Sequence, residues 1–172
     1  VYTGLSSSTT KASFAVNTGS SITLNNVDLT SDSSAILPTG DAAAVNIYNS
    51  TVTAAVYCVA TNAGSTDNYN IAITLSDSTF AANASNGDNC PVMINVPGSL
   101  NMTRCTVNGD RQGVLVRAGD ATITDCTINV SGNFTGSYYT DGKWASGNEV
   151  PMGALIVGNS NSSAYKASDC TV

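Results

Sequence analysis

Carboxylates are the main residues in this sequence that could do chemistry, and histidine is absent. The chain of 172 residues has 12 acidic residues, six basic residues and no histidine. Ser-His and Cys-His nucleophile pairs are therefore excluded, as are most zinc sites. The candidate catalytic residues are Asp110, Asp120 and Asp125, which lie near Arg111 and Arg117. Because Asp and Gly beside strands commonly form turns, we expect all five to be turn or surface residues and predict no catalytic residue. The alternative is a catalytic carboxylate among them.

The segment 131–151 is the strongest candidate for ligand contact. It contains Trp, two Tyr and Phe, whereas the whole chain has one Trp, seven Tyr and three Phe. Aromatic faces flanked by polar groups suit sugar rings, whose C–H faces pack on them while hydroxyls form hydrogen bonds nearby. The alternative is that the aromatic residues pack the segment onto the rest of the protein. The predicted ligand-binding residues are Tyr138, Tyr139, Trp144, Lys143 and Asp141.

A repeated unit must position these residues. Six segments share one pattern, in which apolar and polar residues alternate, two polar residues interrupt, and a second alternating stretch follows. They are ITLNNVDL (22–29), VNIYNSTV (45–52), ITLSDSTF (73–80), LNMTRCTV (100–107), ATITDCTI (121–128) and YKASDCTV (165–172). Each copy supplies four inward columns: two on a first strand, and a third and fourth after the two polar residues.

The spacing of the copies predicts a stack of parallel coils. Successive copies begin 23, 28, 27, 21 and 44 residues apart, which is typical of one coil of a β-solenoid. Short apolar runs ending near Gly at 55–64, 89–98, 112–119 and 152–159 supply a third strand per coil. We therefore predict an all-β parallel β-helix of about six coils of three short strands. It forms one domain over 1–172, with 1–21 as a degenerate first coil and 131–151 as an inserted loop.

The segments R-C-T-V, D-C-T-I and D-C-T-V, together with the G-V-L-V strand, resemble the right-handed parallel β-helix family of pectate-lyase-like proteins. The resemblance implies that fold. Enzymes of the family combine acidic calcium ligands with a basic residue, or pair two carboxylates. The N-T-D and G-H-G segments of its hydrolases are missing here, and calcium has no supporting motif, so no cofactor is expected. The composition, rich in Thr, Ser and Asn, is similar to that of β-helix regions in bacterial cell-surface proteins.

The predicted function is a structural or adhesin-like module of a secreted or cell-surface protein, touching carbohydrate or a host partner through 131–151. The alternative is a fragment of a polysaccharide lyase or glycoside hydrolase. Since the last copy stops on core position Val172, we expect a fragment of a longer solenoid whose other partners are neighbouring coils or domains. Six basic residues and a net charge of −6 disfavour nucleic acid and anionic membranes, and no apolar run is long enough to span a bilayer.

Five cysteines raise the question of disulfides. Cys105, Cys126 and Cys170 occupy column three, where other copies have Ser or Val. Because this column accepts small buried side chains, we expect core thiols, with one disulfide or a metal site as alternatives. Cys58 and Cys90 are the other pair to consider.

The outward position between columns three and four holds Asp28 and then threonine in five copies. A threonine ladder is the arrangement that ice-binding solenoids use, but threonine is also common on exposed strands, so ice binding is a minor alternative. These threonines are Thr51, Thr79, Thr106, Thr127 and Thr171.

Overall fold

The structure is a computed structural model that describes residues 12–61, 70–83, 89–131, 153–158 and 170–172. Within these ranges the chain forms 17 short β-strands and no helix, so none of the described residues belongs to a helix that could cross a membrane. The strands are β1 (Ala12–Val16), β2 (Ser21–Asn25), β3 (Asp28–Ser31), β4 (Ser34–Pro38), β5 (Ala44–Tyr48), β6 (Thr51–Ala54), β7 (Val59–Ala60), β8 (Ile71–Ser76), β9 (Thr79–Ala82), β10 (Val92–Ile94), β11 (Gly98–Thr103), β12 (Thr106–Gly109), β13 (Gln112–Val116), β14 (Gly119–Thr124), β15 (Thr127–Val130), β16 (Gly153–Val157) and β17 (Cys170–Thr171).

The strands form three parallel sheets, and each strand pairs with the strand three positions away in the chain. Sheet A has the order β1-β4-β7-β10-β13-β16, sheet B β2-β5-β8-β11-β14-β17, and sheet C β3-β6-β9-β12-β15. One strand from each sheet makes one coil, so the described residues contain five complete coils, with β16 and β17 beginning another. The prediction of an all-β parallel solenoid is confirmed.

The inward columns stack in the register that the sequence predicts. In column four, Val52 pairs with Phe80 and Phe80 pairs with Val107, and all three side chains are fully buried. Columns one and two behave in the same way, because Ile73 pairs with Leu100 and the strands of sheet B align residue by residue. Most column side chains of the first and fifth coils are only partly buried, as expected toward the ends of a stack, although Leu29 and Ala121 are buried.

Sheet A differs from the other two sheets because both faces of its inner strands β4, β7, β10 and β13 are buried. Val92 and Ile94 face the core, whereas Met93 between them belongs to a second apolar cluster. Successive side chains of a strand point to opposite faces, so this second cluster lies on the outer side of sheet A. Its stacked members include Met93, Leu115 and Ile156. Sheets B and C instead alternate apolar residues inside with polar residues outside.

A tight bend joins sheet B to sheet C in every coil, at the two polar residues that interrupt the alternation. The second of these two residues takes a left-handed backbone conformation, with φ between 48° and 57°. Asn and Asp tolerate this region better than most residues. The five bend residues are Asn26, Asn49, Asp77, Arg104 and Asp125.

The column-three side chains that follow this bend form a hydrogen-bond ladder along the stack. The hydroxyl of Ser78 donates to the carbonyl oxygen of Ser76 at 2.6 Å and accepts the backbone N–H of Ser50 at 3.0 Å. The Cys126 thiol likewise donates to Thr124 at 3.3 Å and accepts the N–H of Cys105 at 3.3 Å. Ser and Cys side chains can both donate and accept hydrogen bonds. Their presence in this column therefore reflects hydrogen bonding as well as small size.

The prediction for the sixth copy is wrong in its register. Cys170 and Thr171 pair with Gly119 and Asp120 at the start of β14, so Cys170 is not stacked on Cys126 in column three. Because β16 continues sheet A, the next strand along the chain joins sheet B, and column three comes only after sheet B. Residues 165–169 of that copy lie outside the described residues. At the other end, the predicted first coil contributes β1 to sheet A.

Candidate functional site

The three candidate catalytic carboxylates occupy three different corners of the coil. Asp110 follows β12, where sheet C leads to sheet A; Asp120 begins sheet B in β14; and Asp125 lies in the bend from sheet B to sheet C. Asp120 and Asp125 are separated by one strand, which spans roughly 16 Å at 3.3 Å per residue. The structure does not bring these three residues together, and a paired-carboxylate mechanism needs two of them on one site.

Each of these carboxylates has a local structural setting. Asp110 Oδ1 accepts a hydrogen bond from the Ser131 hydroxyl at 3.0 Å, across neighbouring coils. Asp120 Oδ1 accepts one from the Thr171 hydroxyl. Asp125 adopts the left-handed conformation of the bend, with φ of 53°. Asp125 is therefore a turn residue, as the turn interpretation expects. Asp110 and Asp120 each form a hydrogen bond to a residue of the next coil.

The basic residues of the predicted charged neighbourhood are not on the surface. Arg111 is fully buried and Arg117 is 4% exposed, at the two ends of β13. The expectation that these residues are turn or surface residues is therefore wrong for both arginines. Charged side chains are almost never fully buried unless paired, so their residue type gave no signal of this.

An exposed ion pair joins two of the left-handed bend residues, Asp77 and Arg104. Arg104 Nε donates to Asp77 Oδ1 at 2.6 Å and its Nη2 donates to Asp77 Oδ2 at 2.8 Å, between consecutive coils. This bidentate hydrogen bonding holds the pKa of Asp77 below its usual value, although both side chains are exposed to solvent. The pair fixes two left-handed bend residues in register, and solvent screening limits its contribution to stability.

The aromatic set predicted to bind ligand lies outside the described residues. Tyr138, Tyr139, Asp141, Lys143 and Trp144 all belong to 132–152, so their role remains a prediction. The described chain enters this segment at Ser131, directly after β15. No group of three or more His, Cys, Asp or Glu side chains that could hold a metal ion occurs in the part of the chain that the structure describes.

A groove with a mainly apolar surface lies beside this entry point, where three strands of sheet C end. Its volume is about 270 Å³, and it crosses the ends of β9, β12 and β15. Its apolar lining comes from the outward-facing Ala81, from Val130 and from the buried Ala82 and Gly109. The sequence pattern missed this groove because it joins small residues from three coils more than 20 positions apart. The polar groups are Asn83, Asn108, Asp110, Asn129 and Ser131.

The outer threonine ladder is present in sheet C. Thr51, Thr79, Thr106 and Thr127 are paired in consecutive coils, and Asp28 precedes them. Thr171 does not extend this ladder, because it pairs with Asp120 in sheet B. The parallel column two residues further along mixes Thr, Ala and Asn, so this face is polar and uncharged without being a uniform threonine array.

The structure shows no disulfide among Cys58, Cys90, Cys105 and Cys126. Cys105 is buried, which confirms the core-thiol interpretation for this column-three residue, whereas Cys126 is only half-buried. Cys58 and Cys90 are buried as well. Cys58 faces the main core and Cys90 lies in the outer cluster of sheet A, so these two do not form a pair. The Cys58 thiol donates to the carbonyl oxygen of Ala81 at 3.1 Å, and burial raises its pKa to about 12.

The stability of the protein should fall at alkaline pH because of Cys58. Below its ordinary pKa of 9.0 the thiol is neutral in both states and has no effect. Between pH 9.0 and about 12 the unfolded chain ionises while the folded chain does not, so rising pH favours unfolding by up to ~1.4 kcal/mol per pH unit. Urea unfolding at pH 8 and pH 10.5 should show a smaller alkaline loss for Cys58→Ala than for the wild type. Cys126→Ala, which changes a half-buried thiol, is the control, and equal losses in the wild type and Cys58→Ala would contradict the assignment.

Comparison with known proteins yields no relative for this chain. No protein-family model matches it, and no match is found among curated proteins or solved structures. The class of the protein is therefore defined by its fold, a parallel β-solenoid.

Proposed function

We propose that this chain is a non-catalytic β-solenoid module of a secreted or bacterial cell-surface protein, acting as a stalk or adhesin-like platform. In this proposal the segment 131–151 contacts carbohydrate or a host surface protein. The module is a member of the pectate-lyase-like superfamily in this proposal, on the strength of the sequence resemblance.

One observation carries the proposal: five coils stack without a break in three sheets, while the outer faces of sheets B and C are polar and almost uncharged. A stack in which every coil is held by its neighbours forms an extended rigid support. Loops on such supports are where binding residues concentrate. The segment 131–151 follows β15 in the chain and is rich in aromatic residues, which supports its proposed role as the contact segment.

Carbohydrate binding should depend on the aromatic residues of the insertion. We expect the double variant Tyr139→Ala/Trp144→Ala to bind at least ~10-fold more weakly on a glycan array, since aromatic stacking supplies much of the contact energy with sugar rings. Tyr48→Ala is the matched control, because it removes a half-buried ring from the outer face of sheet B in the second coil. Its binding should equal that of the wild type.

Two results would count against this function. Equal binding by the wild type and the double variant would remove the insertion as the contact segment, and absence of all glycan and protein binding would leave only a stalk. Release of reducing sugar or of unsaturated product from pectin-like substrates, lost on Asp110→Asn, Asp120→Asn or Asp125→Asn, would favour the enzyme alternative. Calcium would be included in that assay.

A further inference from the structure

We propose that the groove at the ends of β9, β12 and β15 is a binding subsite for one uncharged sugar ring. The inference rests on the proposed function for its ligand class, but it uses described residues of the solenoid body instead of the aromatic insertion. It also predicts a preference that the proposed function does not contain, namely neutral sugars over uronic acids.

The size and floor of the groove suit a single ring. Its volume of about 270 Å³ is just below the ~300 Å³ at which pockets for drug-sized ligands begin. Ala81 is the outward-facing residue of β9 in this groove, and its small side chain gives an apolar floor on which the C–H face of a sugar can pack. Gly109 cannot be larger, because a Cβ there would overlap the carbonyl oxygen of Gln112. This clash would lie within the turn from sheet C to sheet A, so Gly109 is fixed by the turn.

The rim supplies the mixture of donors and acceptors that sugar hydroxyls require. The side-chain amide of Asn129 donates from Nδ2 to Asn108 Oδ1 at 2.9 Å. This hydrogen bond orients both amides and directs the Asn108 NH₂ group and the Asn129 carbonyl oxygen to other partners. Asp110 is held by Ser131 through Oδ1, and its Oδ2 is an additional strong acceptor.

The charge of the groove selects against acidic sugars. Asp110 is the only charged side chain among the described lining residues, and the whole chain carries a net charge of −6. A uronate carboxylate would lie near the Asp110 carboxylate with no cation among those lining residues to offset the repulsion. A neutral hexose or N-acetylhexosamine would instead donate its hydroxyls to Asp110.

The test uses NMR titration of the ¹⁵N-labelled chain with methyl glycosides of glucose, galactose and N-acetylglucosamine, and with galacturonate. Neutral sugars should shift the amide signals of Ala81–Asn83, Asn108–Asp110 and Asn129–Ser131, with dissociation constants in the ~millimolar range of single-ring ligands. Galacturonate should bind at least ~10-fold more weakly. Asp110→Asn, which keeps an acceptor for Ser131, should weaken the neutral sugars and reduce the discrimination against galacturonate.

A blocking variant and its matched control locate the site. Ala81→Phe places a ring on the floor without removing a polar group, and should weaken binding at least ~10-fold. Thr53→Phe introduces the same ring at the position that pairs with Ala81 one coil earlier, outside the groove, and should leave binding unchanged.

Three outcomes would overturn the proposal. The first is that no neutral sugar shifts the groove signals at ~50 mM, well above a millimolar dissociation constant. The second is that galacturonate binds as tightly as the neutral sugars. The third is that sugars bind equally to the wild type and Ala81→Phe but not to Trp144→Ala, which would remove the groove while leaving the proposed function in place.

Discussion

A chain carrying Gly119→Ala is expected to lose about 2–5 kcal/mol of folding stability, which is a large part of the total for a domain. Gly119 has a φ of +77°, where an L-residue costs about 1–2 kcal/mol. In addition, a Cβ at this position would lie 2.6 Å from the carbonyl oxygen of Gly98 in the coil before it. Neither backbone segment can move away, because β11 and β14 are paired along their length. Both strands of sheet B would therefore have to shift.

Substitutions at Gly19 and Gly158 separate the conformational cost from the steric cost of an added Cβ. Gly19 has a φ of +65° with nothing within 4 Å of an added Cβ, so Gly19→Ala should cost about 1–2 kcal/mol from conformation alone. Gly158 has neither constraint, and Gly158→Ala should change stability by less than ~0.5 kcal/mol. Urea unfolding followed by circular dichroism measures all three variants. If Gly119→Ala unfolded at the same urea concentration as Gly19→Ala, the prediction of a steric clash between coils at Gly119 would be wrong.

Phe80→Ala should have an effect of similar size, about 3–5 kcal/mol, through loss of packing in the central coil. Phe80 is fully buried and stands between Val52 and Val107 in column four, so truncation leaves a cavity that neighbouring coils cannot fill without losing register. Since each coil contacts only its neighbours, the damage should be centred on β8 and β9.

The same column provides the control for Phe80. Ile128 occupies column four in the fifth coil and is only half-buried, so Ile128→Ala should cost about 1–2 kcal/mol. Hydrogen exchange adds a spatial readout, because amides of β8 and β9 should exchange faster in Phe80→Ala than those of β14. A uniform increase in exchange along all five coils would contradict the nearest-neighbour picture.

The sequence predicted the parts of the fold that follow a simple period. Alternation with period two placed Ile73, Leu75 and Phe80 in the core, and the interruption of that alternation located the bend before column three. Sheet A was harder to recognise. Its strands are apolar on both faces and lack alternation, so β4 was not among the predicted third strands.

The errors have equally specific physical causes. Cys170 was misplaced because its copy follows a long insertion, where counting residues no longer fixes which sheet a strand joins. Arg111 and Arg117 were expected to be turn or surface residues because Asp and Gly lie beside them in the sequence, whereas burial of a guanidinium depends on contacts far away in sequence. The groove depends on small residues from three coils, and a single repeat contains no sign of it.

The direction of the hydrogen bonds has a mechanical consequence for a protein that is held at both ends. Strands of one sheet stack along the axis of the coils, so the hydrogen bonds between coils lie along that axis. A force along the axis therefore pulls these hydrogen bonds apart along their length. The interfaces between coils would separate one after another, instead of many hydrogen bonds being sheared at the same time. Each released coil of 21–28 residues would add up to roughly 70–100 Å of extended chain. Tension would thus be relieved in discrete steps, starting from an end coil that has only one neighbour.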